Sequence, residues 1–181
     1  MQLYDIVAQL FGLAGMTVNV LSFQRKSSRN IIFMQIFGSL LFCINYMMLG
    51  AYSGALLNLV AIFRAYVYSH REKCNAGHIG WFYGFCGAFA LMYVLTFTVF
   101  GLKPSANNLL VELLPTAAMV LQTVGFRMND ANKVRVLCAC SSPLWLVYNT
   151  VNFTLGGILC ECFSICSNII GLIRYRNMKE N

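Results

Sequence analysis

The chain has 181 residues, of which 59% are hydrophobic, 14% aromatic and only 10% charged, with a formal net charge of +7. A water-soluble domain of this length carries about 25% charged residues, so the composition excludes a soluble globular enzyme, a disordered tail and a nucleic-acid-binding domain. An integral membrane protein is left, because a bilayer solvates apolar surface and needs little charge.

A helix needs about 20 mostly apolar residues to cross the hydrocarbon core. Seven stretches qualify in chain order: Leu3–Phe23, Ile31–Leu49, Ala51–Ser69, Trp81–Phe100, Leu109–Phe126, Val134–Phe153 and Leu155–Ile173. Short junctions around Gly50 and around Thr154 predict two tight helical hairpins. The first stretch lacks a basic n-region and carries Asp5 instead, which predicts a retained span rather than a signal peptide.

Of the 13 Lys and Arg, 11 fall after odd-numbered spans: Arg25, Lys26 and Arg29; Arg71 and Lys73; Arg127, Lys133 and Arg135; Arg174, Arg176 and Lys179. The positive-inside rule then predicts an external N-terminus and a cytoplasmic C-terminus. Only Lys103 lies on the opposite side, and Arg64 lies within a span. Seven of the eight cysteines fall within spans and Cys74 in a cytoplasmic loop, which argues against disulfides.

The spans divide as three, one and three, and a shift of 103 residues superposes the triplets. It pairs Leu10 with Leu113, Ala14 with Ala117, Phe23 with Phe126, Ser39 with Ser142, Gly54 with Gly157 and Arg71 with Arg174. The predicted architecture is all-α: two parallel three-helix bundles joined by a linker helix, with boundaries at 1–73, 74–107 and 108–181. Parallel repeats of this kind place a site at their interface near the membrane midplane. Pro115 and Pro143 remove backbone hydrogen bonds inside the second triplet, and Gly12 is the repeat counterpart of Pro115. With Arg64, these form the candidate gate or hinge set.

Ionisable groups in hydrocarbon are functional candidates by default. Here they are Arg64, Glu112 and Glu161. Gln9, Asn58 and Asn149 share the depth of the two glutamates, and the repeat pairs Gln9 with Glu112 and Asn58 with Glu161. With Trp145, these six form the candidate substrate-binding set, and a glutamate among them is a candidate proton carrier. Asn19, Gln35, Arg64, Gln122 and Asn168 form a deeper polar band, in which Arg64 either snorkels to the interface or pairs with an acid. Cys160, Cys162 and Cys166 surround Glu161, but without a CxxC pair or an intramembrane His they do not predict a metal site, and no cofactor is expected.

The motifs Ala8-Gln9-x-x-Gly12, Leu49-Gly50-x-Tyr52, Val111-Glu112-Leu113-Leu114-Pro115, Trp145-x-x-x-Asn149 and Gly156-Gly157-x-x-x-Glu161, with Arg64, Asn168 and Ile173-Arg174, span almost the whole chain. On these the chain resembles the bacterial YgjV inner-membrane protein family, which implies a location more than a mechanism. The three-one-three layout is also similar to the SWEET, semiSWEET and PnuC transporters of sugars and vitamins. Those carry a proline tetrad across both bundles, whereas here prolines interrupt only the second. The expected function is transport of a small polar solute by alternating access, as a monomer or homo-oligomer in the lipid bilayer. The rival expectation is a non-transporting assembly or regulatory protein. No span holds a nucleophile–base pair, so an enzyme is not expected.

Overall fold

The structure is a computed structural model that describes residues 3–175. Arg176 and Lys179 of the basic tail lie outside the described residues. Seven α-helices form: α1 Leu3–Ser22, α2 Ser28–Met48, α3 Tyr52–Ser69, α4 Ile79–Thr98, α5 Ala106–Arg127, α6 Ala131–Val151 and α7 Leu155–Arg174. Four of them begin two or three residues ahead of the apolar stretches, because polar caps start them. Ser27, Ser105 and Asp130 accept backbone N–H groups of α2, α5 and α6, and His78 does the same for α4.

Helix starts in the two triplets repeat at the same offset as the sequence. Each of α5, α6 and α7 begins 103 residues after α1, α2 and α3. The hairpin between α2 and α3 turns at Gly50 with φ +73°, and the hairpin between α6 and α7 turns at its counterpart Phe153 with φ +51°. A left-handed backbone at a phenylalanine is unfavourable. It persists at the position where the other triplet uses glycine.

Five of the seven helices (α1, α2, α4, α5 and α7) are long and apolar enough to cross a membrane. The other two, α3 and α6, place polar residues on their inward faces: Ser53, Asn58 and Arg64 on α3, and Arg135, Ser141, Ser142 and Asn149 on α6 are all buried. The molecule as a whole is inverted relative to a soluble protein. Leu10, Phe37, Leu59, Leu110, Val147 and Ile170 are exposed, whereas Asn45, Thr123, Asn149 and Asn168 are fully buried. Interhelical hydrogen bonding and packing hold such an assembly together, because lipid offers no hydrophobic drive between helices.

Neighbouring helices pack most extensively as α1–α2, α2–α3, α5–α6, α6–α7 and α1–α7. Smaller contacts join α3 to α5 and α2 to α6, while α4 lies against α3 and α5. The six repeat helices thus close a ring with α4 outside it. The α1–α7 contact is about as extensive as α6–α7, so packing by itself does not separate the triplets.

The α1–α7 crossing is close because it is glycine on glycine. A Cβ on Gly156 would lie 2.6 Å from the Cα of Gly12. Gly156→Ala is therefore expected to force the backbones apart and cost about 1–3 kcal/mol. Gly84→Ala, whose Cβ meets nothing within 4 Å, is the control. Unfolding of both variants in detergent checks this, and equal midpoints would refute it.

Arg135 differs from its expected place in a basic loop. It lies inside α6, fully buried. It donates to the carbonyls of Phe23 (3.0 Å) and Arg25 and to Asn132 Oδ1 (2.8 Å), and its guanidinium sits 5.1 Å from the ring centre of Tyr175. The polar cap at Asp130 starts α6 early enough to carry this arginine inward. Arg71 does the matching job on the other triplet, donating to Phe126 O, the repeat counterpart of Phe23 O. The basic loops and the end of α7 meet at this end of the ring, tied further by Gln24 to Ser167 and by Tyr175 Oη to Gln24 O.

Candidate functional site

The ring helices line a cavity of about 60 Å³. At roughly 10–15 Å³ of such space per water, it holds about four to six waters. Of the predicted site residues, the structure brings Asn58, Trp145, Glu161 and Arg64 together on its wall, with Asn19, Gln35 and Gln122 of the deeper band. Asn58 and Arg64 lie six residues apart on α3, and both are buried against the other helices. Asn58 Nδ2 donates to Gly54 O (2.9 Å), and Glu161 shares the lining with Ser142 of α6.

Arg64 turns inward rather than snorkelling, with 2% of its surface exposed. Its Nη1 donates to Met119 O (2.9 Å) and Thr123 Oγ1 (3.1 Å), and its Nη2 to Gln122 Oε1 (3.0 Å). Its guanidinium lies 4.5 Å from the ring centre of Phe126 and 5.7 Å from that of Phe89. The side chain thereby bridges α3 to α5, and every one of its hydrogen-bond partners is uncharged. Short-range acceptors on α5 outcompete the longer reach to the membrane surface.

Glu112, Gln9 and Asn149 lie toward the hairpin end and outside the cavity wall. Glu112 accepts from Ser53 Oγ and lines an open hollow of about 420 Å³ with Lys103, Asn108 and Tyr52. Gln9 makes the repeat-related contact, its Oε1 accepting from Gly156 N (3.4 Å) and its Nε2 donating to Phe153 O (3.3 Å). Glu112 on Ser53 and Gln9 on Gly156 join the same pair of positions at the 103-residue offset, through a side-chain hydroxyl in one triplet and a backbone N–H in the other. Asn149 is a brace: its Oδ1 accepts from Tyr46 Oη (2.7 Å) and Thr154 Oγ1 (2.8 Å).

Between the hollow and the cavity stand Tyr46, Trp145 and Tyr148, with ring centres 5.7–6.1 Å apart. Tyr148 Oη lies 2.8 Å from Ser53 Oγ and accepts Gly54 N–H at 2.9 Å, so it links this aromatic cluster to Glu112. Of this cluster only Trp145 is among the predicted residues, although a signal for Tyr46 and Tyr148 exists in the chain. Asn45-Tyr46 and Tyr148-Asn149 occupy the same two repeat positions in transposed order. Tyr46 and Asn149 are repeat counterparts that touch each other, which places them where the two triplets meet.

The candidate hinges have distinct surroundings. Gly12 sits under the Asn45 side chain and against Gly156. Pro115 is buried inside an unbroken α5, where Thr116 Oγ1 donates to Glu112 O (3.2 Å). Pro143 faces outward on α6, and the hydroxyls of Ser141 and Ser142 donate to Cys138 O nearby. Cys162 and Cys166 are exposed, so α7 turns them away from the buried Cys160 and from the cavity. Among the described residues, no group of three His, Cys, Asp or Glu comes together as a metal site would require.

The chain matches, over residues 6–179, the model of a family described as bacterial inner membrane protein, Imp-YgjV. No curated protein and no solved structure gives a significant match. With several helices able to cross a membrane and a match along nearly its whole length, the chain belongs to the YgjV family of bacterial inner membrane proteins, as a multi-pass member of it.

Proposed function

We propose that the protein moves a small polar solute across the inner membrane by alternating access. The observation that carries this reading is the polar cavity among the ring helices, lined by Asn58, Arg64 and Glu161. A purely structural bundle has no use for two ionisable side chains around a void in hydrocarbon, since each is costly there. The two moving units are α1–α3 and α5–α7, with α4 as linker, the N-terminus outside and the C-terminus in the cytoplasm. Support comes from the 103-residue repeat of helix starts and of the Gln9 and Glu112 contacts. The Gly12–Gly156 contact serves as the pivot. The Tyr46–Trp145–Tyr148 cluster closes the outer side, and Arg64 with Phe126 closes the inner side. Glu161 carries the coupling proton.

Uptake of amines, amino acids, nucleosides and sugars into proteoliposomes, with and without a pH gradient, tests the reading. One class entering above the protein-free background is expected. If no solute moves, the reading falls, and the non-transporting alternative gains from the small cavity and from the capping of Glu112 by Ser53.

The outer closure has its own test through Cys160, which is buried and lines the cavity. With the other seven cysteines replaced, Tyr148→Phe is expected to raise the rate at which a small thiol reagent labels Cys160 severalfold. The substitution removes the hydroxyl that joins α6 to Ser53 and Gly54 on α3. An unchanged labelling rate would refute the gate.

A further inference from the structure

We infer that the central cavity binds a zwitterion whose carboxylate docks on Arg64 and whose ammonium faces Glu161, the two charges being separated by several bonds as in an ω-amino acid. This rests on the transport reading only in taking the same cavity as the site.

A guanidinium has five N–H donors. Three are used by Met119 O, Thr123 Oγ1 and Gln122 Oε1. The remaining two are Nε–H and one Nη2–H. Nε is buried with no partner, and Nε and Nη2 share one edge of the guanidinium. The unpartnered Nε–H offers a carboxylate oxygen a charge-assisted donor, the kind of bond for which arginine is favoured in such sites. A buried cation whose protein partners are all neutral is costly, and an incoming carboxylate removes that cost.

Glu161 stands on the same cavity wall, with Ser142 beside it on the lining. It is the repeat counterpart of Asn58, and Arg64 lies six residues beyond Asn58 on α3. At 1.5 Å per residue, the two charged levels are offset by about 9 Å along the helix axis. That offset is too long for the adjacent charges of an α-amino acid and suits a chain of four or five carbons. Room for about four to six waters is near the size of such a molecule. A solute with both charges enters as a neutral whole, which a lone carboxylate or amine does not.

The test uses the purified full chain in detergent, with binding of 4-aminobutyrate, 5-aminovalerate, glycine, butyrate, butylamine and glucose measured by calorimetry. The expected result is that an ω-amino acid binds roughly tenfold or more tighter than butyrate, butylamine or glycine, which corresponds to about 1.4 kcal/mol. Arg64→Gln should erase the preference over butylamine, and Glu161→Gln the preference over butyrate. Arg64→Lys, which keeps the charge but lacks the fork, should retain part of it and carries the test if Arg64→Gln is not monodisperse. Equal binding by the singly charged compounds, tighter binding of glycine or glucose, or a preference that survives both substitutions overturns the inference. Binding without uptake into proteoliposomes overturns the transport reading alone. Uptake of another solute with no such preference overturns this inference alone.

Discussion

Glu161→Gln is expected to cut solute uptake roughly tenfold or more while leaving the purified protein monodisperse and its unfolding midpoint unchanged. Glutamine has nearly the same shape and keeps a polar head group at the same place on the cavity wall. What it loses is the charge on a cavity wall, where a hydrogen bond to an ionised group is worth about 1.5–3 kcal/mol. Glu112→Gln makes the informative comparison. Its carboxylate is capped by Ser53 and faces the outer hollow instead of the cavity, so it should affect uptake less. Wild-type uptake by the Glu161 variant would remove the cavity from the mechanism. A larger loss in the Glu112 variant would move the site to the outer hollow.

Arg135→Met is expected to lower stability by about 1–3 kcal/mol, because the buried carbonyl of Phe23 loses its donor and an unpaired buried group costs about that much. Methionine fills the stem but offers no N–H. Packing is disturbed as well, since Gly171 lies against the arginine side chain. Lys133→Ala, two residues away and exposed, should stay within about 0.5 kcal/mol. Denaturant unfolding in detergent separates them, and similar midpoints would mean that Arg135 is only another surface charge. The effect should appear without any change in solute selectivity, because Arg135 lies at the basic end rather than on the cavity wall.

The seven helices were legible from apolar length alone, and the repeat offset read from the sequence is reproduced by the helix starts and by the turns at Gly50 and Phe153. Depth was legible too, because rise per residue is constant along a helix. Direction was not. Gln9, Asn58, Glu112, Asn149 and Glu161 share a depth band, yet Asn58 and Glu161 line the cavity, while Glu112 and Gln9 each bond a residue in the first turn of a neighbouring helix. Which face of a helix turns inward depends on its rotation against its neighbours, and the glycine contact between α1 and α7 helps to set that rotation.

The sequence by itself determined the solvent of this protein, its helix count and its internal repeat, because these follow from composition and from periodic spacing along one chain. Only the tertiary structure decided the role of the charges. Arg135 became a buried clamp and Arg64 an inward-facing cation with a free Nε–H donor, and the two acidic residues of the spans took different surroundings. The reason is physical: a charge within the bilayer takes its role from the groups that neighbouring helices bring to it, and those groups are remote in sequence.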